Sequence, residues 1–170
     1  LGGGCEFVMH SPRAVAALES YIGLVEAGVG LIPAGGGCKE FAIRCARAAD
    51  ASATKDIMNF LQPVFQTIAM ATVSRSARNA QELGLLKADD VVVMHAGELL
   101  HVARCNALAM ADSAWRPALR ATGIPVAGRN GIATLEMMLV NMREGGQISA
   151  HDYRVARAAA VALCGGEIET

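Results

Sequence analysis

Two glycine triplets, Gly2-Gly3-Gly4 and Gly35-Gly36-Gly37, with the acids Glu6 and Glu26 set after and between them, constrain this chain more than any other feature. Three consecutive residues without Cβ atoms let backbone N–H groups approach a ligand oxygen. The amphipathic run Cys5-Glu6-Phe7-Val8-Met9-His10 then enters a helix whose first turn carries unpaired N–H groups and partial positive charge. Such a turn suits an oxygen that gains negative charge. Glu26 follows inside an apolar, glycine-rich run with no basic residue between Arg13 and Lys39. Two carboxylates brought together in a dry site repel, so that one holds a proton the other has lost and both can act on one water. The plainer alternatives are tight turns for the glycines, a solvated helix residue for Glu6 and a salt-bridged strand end for Glu26. Two triplets flanking two acids favour the chemical reading.

The remaining residues bound the fold. At 170 residues the chain has the length of one domain. Hydrophobic residues make up 53% and aromatic ones 4%, so the core must come from Ala, Val, Leu, Ile and Met in closely packed helices. A net charge of −1 without a basic stripe argues against a nucleic-acid partner. Five cysteines, at 5, 38, 45, 105 and 164, contain no C-x-x-C spacing, which fits a reducing cytoplasm and neither a disulfide framework nor a zinc site. The long apolar stretch from Ala14 to Gly37 is broken by Glu19, Glu26 and glycines and fails as a membrane span. His10, His95, His101 and His151 read as packed, hydrogen-bonded residues, and no metal is expected. Cys5 lies at a helix start, where a thiol pKa falls, yet it reads as a small packing residue.

Along the chain, Ser11-Pro12 stops the first helix. Residues 13–19 and 20–25 read as two short buried strands, and 38–49 as a helix with Phe41, Ile43 and Cys45 inward and Lys39, Arg44 and Arg47 outward. Thr54 or Asp56 can cap the next helix, whose apolar face runs from Ile57 to Met70 and which Pro63 must kink or divide. This face is a core or subunit contact before it is a cofactor box. A short helix capped by Ser76 precedes a strand at 90–94 and a helix at 97–111. A connector from Trp115 to Gly128 leads to helices at 131–143 and 149–163, the second with Ser149 as cap and Asp152 in its first turn. The basic set Arg44, Arg47, Arg75 and Arg78 reads as a solvated face that is also able to meet phosphates.

Gly2-Gly3-Gly4-Cys5-Glu6 and the run Gly23-Leu24-Val25-Glu26-Ala27-Gly28-Val29-Gly30-Leu31-Ile32-Pro33-Ala34-Gly35-Gly36-Gly37 resemble the two signature blocks of the crotonase (enoyl-CoA hydratase/isomerase) superfamily, at its own separation. Ala34 departs mildly from the glycine usual after the proline. Cys38-Lys39-Glu40 and the helical stretch beyond are more similar to the hydratase-like part of long bacterial β-oxidation proteins, in which a 3-hydroxyacyl-CoA dehydrogenase comes first. The segment Ser76 to Leu85 resembles one that crotonases carry before their last strand.

The resemblance implies an α/β chain, the C-terminal part of a crotonase-like fold, helix-rich with a few short strands. Residues 1–115 would form a partial core with a helical insertion and 116–170 a C-terminal helical region that packs on neighbouring subunits. It implies reversible syn hydration of a 2-enoyl-CoA, with the Gly3 N–H as half of an oxyanion hole and Glu6 and Glu26 holding the water. CoA would belong to the substrate, no cofactor would be bound, and NAD would sit only on a separate upstream domain. The expected partners are the acyl-CoA and either further copies of the chain or a dehydrogenase domain in the same protein. The family's second oxyanion donor comes from strands before the first block, so the chain reads as a piece of a longer protein, poorly active alone. An enoyl-CoA isomerase with one working glutamate, and a non-catalytic association or acyl-CoA-binding segment, are the alternatives.

Overall fold

The computed structural model describes residues 1–169. Its elements run α1 (Gly3–His10), β1 (Val15–Ala17), a 3-10 turn (Glu26–Val29), α2 (Gly37–Ala51), α3 (Met58–Ala69), α4 (Ala77–Glu82), β2 (Val91–Val93), a second 3-10 turn (Ala96–Glu98), α5 (Leu99–Asp112), α6 (Gly128–Glu144) and α7 (Ala150–Leu163). The chain is helix-rich with a few short strands, as its alanine-rich, aromatic-poor composition implies. Each predicted helix forms, with its ends shifted by a few residues.

Local chemistry accounts for the boundaries. α1 stops where Ser11 turns extended ahead of Pro12, and the Ser11 hydroxyl donates back to the Phe7 carbonyl. Asp56 accepts from the Met58 amide at the start of α3, and Ser76 from the Asn79 amide at the start of α4. Ser149 and Asp152 close a reciprocal capping box on α7. Pro63 does not divide α3; the helix runs through it, and the Thr67 hydroxyl donates to the Pro63 carbonyl one turn on.

Burial gathers the helices into one core. Cys5 and Met9 of α1, Phe41 and Cys45 of α2, Leu61, Phe65 and Ile68 of α3, Leu135 and Leu139 of α6, and Leu163 of α7 belong to a single cluster with Leu24, Leu85 and Leu86. α7 lies against α2, α3 and α6. Small residues permit the close approach: a Cβ at Gly131 would stand 3.0 Å from the Cys164 sulfur.

The strand content is smaller than the sequence suggests. β1 and β2 pair in parallel, Val15 opposite Val91 through Ala17 opposite Val93. The second predicted strand, 20–25, makes no ladder; it touches 72–74 at one antiparallel bridge between Gly23 and Val73. Side chains substitute for ladder bonds there. The Ser74 hydroxyl accepts from the Ile22 amide, and the Ser74 amide donates to the Ile22 carbonyl. Gly23 is required because a Cβ would meet the Thr72 carbonyl oxygen at 2.8 Å.

Asp90 ties the parallel pair together. Its buried carboxylate accepts from the Ala14 amide ahead of β1 and from the Lys87 amide, both at 2.7 Å. Lys87 in turn donates to the carbonyls of Ser11 and Pro12. Arg44 departs from its expected outward orientation: it is half-buried and donates to the carbonyls of Met9 and Gly84 and to Glu40. α5 contains no buried residue and rests mainly on β1 and the turn before it. Among the described residues, no helix is long and apolar enough to cross a membrane.

Asp90→Asn replaces one acceptor oxygen by a donor that faces an N–H. We expect a loss of about 2 kcal/mol in stability, read as a lower urea midpoint with an unchanged slope.

Candidate active site

The site is built where the loop before α1, the Glu26–Val29 turn and the loop before α2 meet. The first tether is between backbones: the Gly2 amide donates to the Gly23 carbonyl at 2.9 Å. It draws the chain leading to Glu26 beside the start of α1, and a Cβ built on Gly2 would lie 3.5 Å from Glu26 Oε1. Gly2 has φ +57, a backbone state that favours glycine. A separation of 20 residues in sequence thus closes onto one turn of helix.

The second tether runs from acid to amide. Glu6 is 8% exposed, and its Oε1 accepts from the Gly37 amide at 2.9 Å, at the start of α2. The first turn of a helix is where a carboxylate is best accommodated. The loop leaves room for it, since a Cβ on Gly35 would stand 2.1 Å from Glu6 Oε2. The second triplet is therefore shaped around this carboxylate.

Glu26 is different. Its Oε2 is buried and has no hydrogen-bond partner. A buried acceptor without a donor is a place for a bound water. Both carboxylates act on the same two buried thiols: burial first, with the Glu6 and Glu26 charges adding to it, raises Cys5 and Cys38 from 9.0 to about 11. The helix-start position that would lower the Cys5 pKa is outweighed by its burial, which agrees with its reading as a packing residue.

Gly3 is exposed, and among the described residues no hydrogen bond takes the amides of Gly3 or Gly4, which precede the first intrahelical donors. Gly3, Glu6, Phe7, His10 and Gly35 line a cleft of about 290 Å³. Two of the three residues singled out by sequence, Gly3 and Glu6, thus share one cleft, and Glu26 lies against the glycine that precedes them. Sequence reasoning gave Phe7 no part in the site and read His10 as packed, whereas His10 is exposed and lines the cleft. Their signal was present in the spacing, because residues four apart on a helix lie on one face and His10 follows Glu6 by four. Among the described residues, no group of three potential ligands gathers to hold a metal.

Gly35→Ala places a methyl group where the Glu6 carboxyl lies. The displaced carboxylate is pulled from its buried bond to the Gly37 amide, so we expect a lower melting temperature together with a loss of any activity that depends on Glu6, seen by comparing thermal unfolding with turnover. A thiol reagent distinguishes the cysteines: exposed Cys105 should react at once at pH 8, whereas Cys5, Cys38, Cys45 and Cys164, buried and raised to about 11, should react only on unfolding.

No family model matches the chain. Over 168 residues, 99% of its length, it is 40% identical to a probable 3-hydroxyacyl-CoA dehydrogenase of Bacillus subtilis strain 168, of which it spans 20%. Over 44 residues, 26% of the chain and 6% of the relative, it is 54% identical to a putative fatty acid oxidation complex trifunctional enzyme of Rickettsia felis. A solved carnitinyl-CoA dehydratase from Mycobacterium avium 104 is similar at 24% identity and a TM-score of 0.44, over 95% of this chain and 51% of that one. The chain therefore spans about a fifth of the long bacterial relative to which it is similar from end to end, and it resembles that part of it.

Proposed function

We propose that the chain is an enoyl-CoA hydratase-like module of fatty-acid β-oxidation, adding water reversibly and syn across the C2–C3 double bond of a 2-enoyl-CoA. The observation that carries this reading is the pair of acids at the start of α1: Glu6 held by the Gly37 amide in a cleft it shares with Gly3, and Glu26 with a buried, open oxygen beside Gly2.

In this reading the thioester carbonyl meets the free Gly3 amide. As water attacks C3, charge moves onto the thioester oxygen, and a preorganised N–H aimed there contributes about 3 to 4 kcal/mol in comparable acyl-transfer sites. A second donor to the same oxygen is needed to complete the oxyanion hole. One carboxyl delivers a proton to C2 while the other takes one from the water, so the pair ends with as many protons as it began. Gly3 and Gly35 line the cleft without side chains of their own, which leaves room for a bulky thioester.

The chemistry calls for no metal and no nucleotide; CoA enters as part of the substrate, and NAD belongs to a separate dehydrogenase part. The product, a 3-hydroxyacyl thioester, has the hydroxyl that a 3-hydroxyacyl-CoA dehydrogenase oxidises. Kinship with a probable enzyme of that name therefore fits two consecutive steps joined in one protein. The same reading places the protein in the cytoplasm, as a homo-oligomer or with the dehydrogenase part docked in the same chain.

Glu6→Gln and Glu26→Gln, made singly in the protein at its full natural length and assayed with crotonyl-CoA, test this. Each should lower hydration by about 100-fold or more while leaving the melting temperature within a few degrees. Hydration that survives either change points instead to an isomerase with one working glutamate. Full hydration with both changes removes the acids from the reaction.

A further inference from the structure

The proposed reaction leaves one hydrogen of the attacking water without an acceptor. The water must keep one lone pair for C3. The ionised carboxyl accepts one of its hydrogens, while the protonated carboxyl keeps its own proton aimed at C2. The second hydrogen remains, and the cleft offers a group for it.

His10 lies one turn beyond Glu6 and lines the same cleft. Its Nδ1 is 2.7 Å from the Glu6 carbonyl oxygen. A carbonyl only accepts, so Nδ1 carries the hydrogen, and the neutral ring is left with its lone pair on Nε2. No hydrogen bond among the described residues uses Nε2.

The second glycine triplet makes room for this ring as it does for Glu6. A Cβ on Gly36 would stand 2.7 Å from His10 Cε1 and 2.8 Å from Nε2, and Gly36 has φ +113, which side chains rarely adopt. Consecutive residues therefore give way to two different side chains: Gly35 to the Glu6 carboxylate, Gly36 to the His10 imidazole. A tight turn alone requires glycine at Gly36 for its φ. It does not require that both side chains so accommodated line one cleft.

From this juxtaposition we propose that His10 is a water-positioning residue, its Nε2 accepting a hydrogen bond from the water, and afterwards from the 3-hydroxyl, that the carboxylates hold. The proposal rests on the hydratase reading. No proton passes to the ring; His10 orients the water and leaves the transfer to the acids.

Two amide variants of the protein at full natural length separate the ring's two nitrogens. His10→Asn keeps a donor near the place of Nδ1 and loses the distal acceptor, whereas His10→Gln restores an acceptor near the place of Nε2. With crotonyl-CoA, Asn should lower kcat by about 10- to 100-fold with KM within about threefold, and Gln should recover most of that loss. Because His10 is exposed, both should unfold within a few degrees of the unsubstituted protein. Wild-type kcat in the Asn variant overturns the proposal, as does a Gln variant that falls as far as Asn. If hydration is lost in Glu6→Gln but intact in His10→Asn, only the role of His10 fails. If the unsubstituted protein hydrates nothing, the reading of the site fails and this proposal with it.

Discussion

The site depends on one bond, from the Gly37 amide to the buried carboxylate of Glu6. A carboxylate removed from water is costly unless donors replace the water, and a helix start offers donors that nothing else in the helix uses. The bond therefore answers the needs of both partners and fixes the start of α2 against α1. Arg44 fixes the other end, because its guanidinium rises from α2 to the Met9 carbonyl near the end of α1. α1 is clamped to α2 at two points about one turn apart, by an acid below and a cation above. The cleft wall formed by Glu6 and His10 is part of that clamped helix.

The rest of the chain near the site is irregular backbone stabilised by named side chains. Ser74 supplies the hydrogen bond that a ladder would give Ile22, Asp90 takes the amides of Ala14 and Lys87, and Gly23 accepts from Gly2. Each bond is buried or half-buried, where an unpaired group is expensive. The helices α6 and α7 fill the core against α2 and α3, and α7 also touches the turn that carries Glu26.

Much of this was legible in the sequence. Glycine, proline and capping residues marked the helix ends, because those residues act through their own backbone: Ser11-Pro12, Ser76 and Ser149 each did what local chemistry requires. The closeness of the Gly2 loop to Glu26 was legible only through family resemblance, since it depends on a hydrogen bond to Gly23 that no local pattern announces. The segment 20–25 was misread as a strand because a brief apolar run has the same appearance whether it joins a ladder or merely crosses one bridge. Arg44 was misread because an arginine on a helix usually reaches water, and only the fold shows carbonyls waiting for it. Pro63 was expected to kink or divide α3, and division is ruled out because one helix passes through it.

α5 stands apart from this arrangement. With no buried residue of its own and its support confined to β1 and the preceding turn, it adds little to the cohesion of the whole. Its fourteen residues can fray and re-form while the clasp between α1 and α2 stays shut, so the amide protons there should exchange with solvent long before those of α2 or α3. The chain thus keeps this loose helix apart from the one that carries Glu6 and His10.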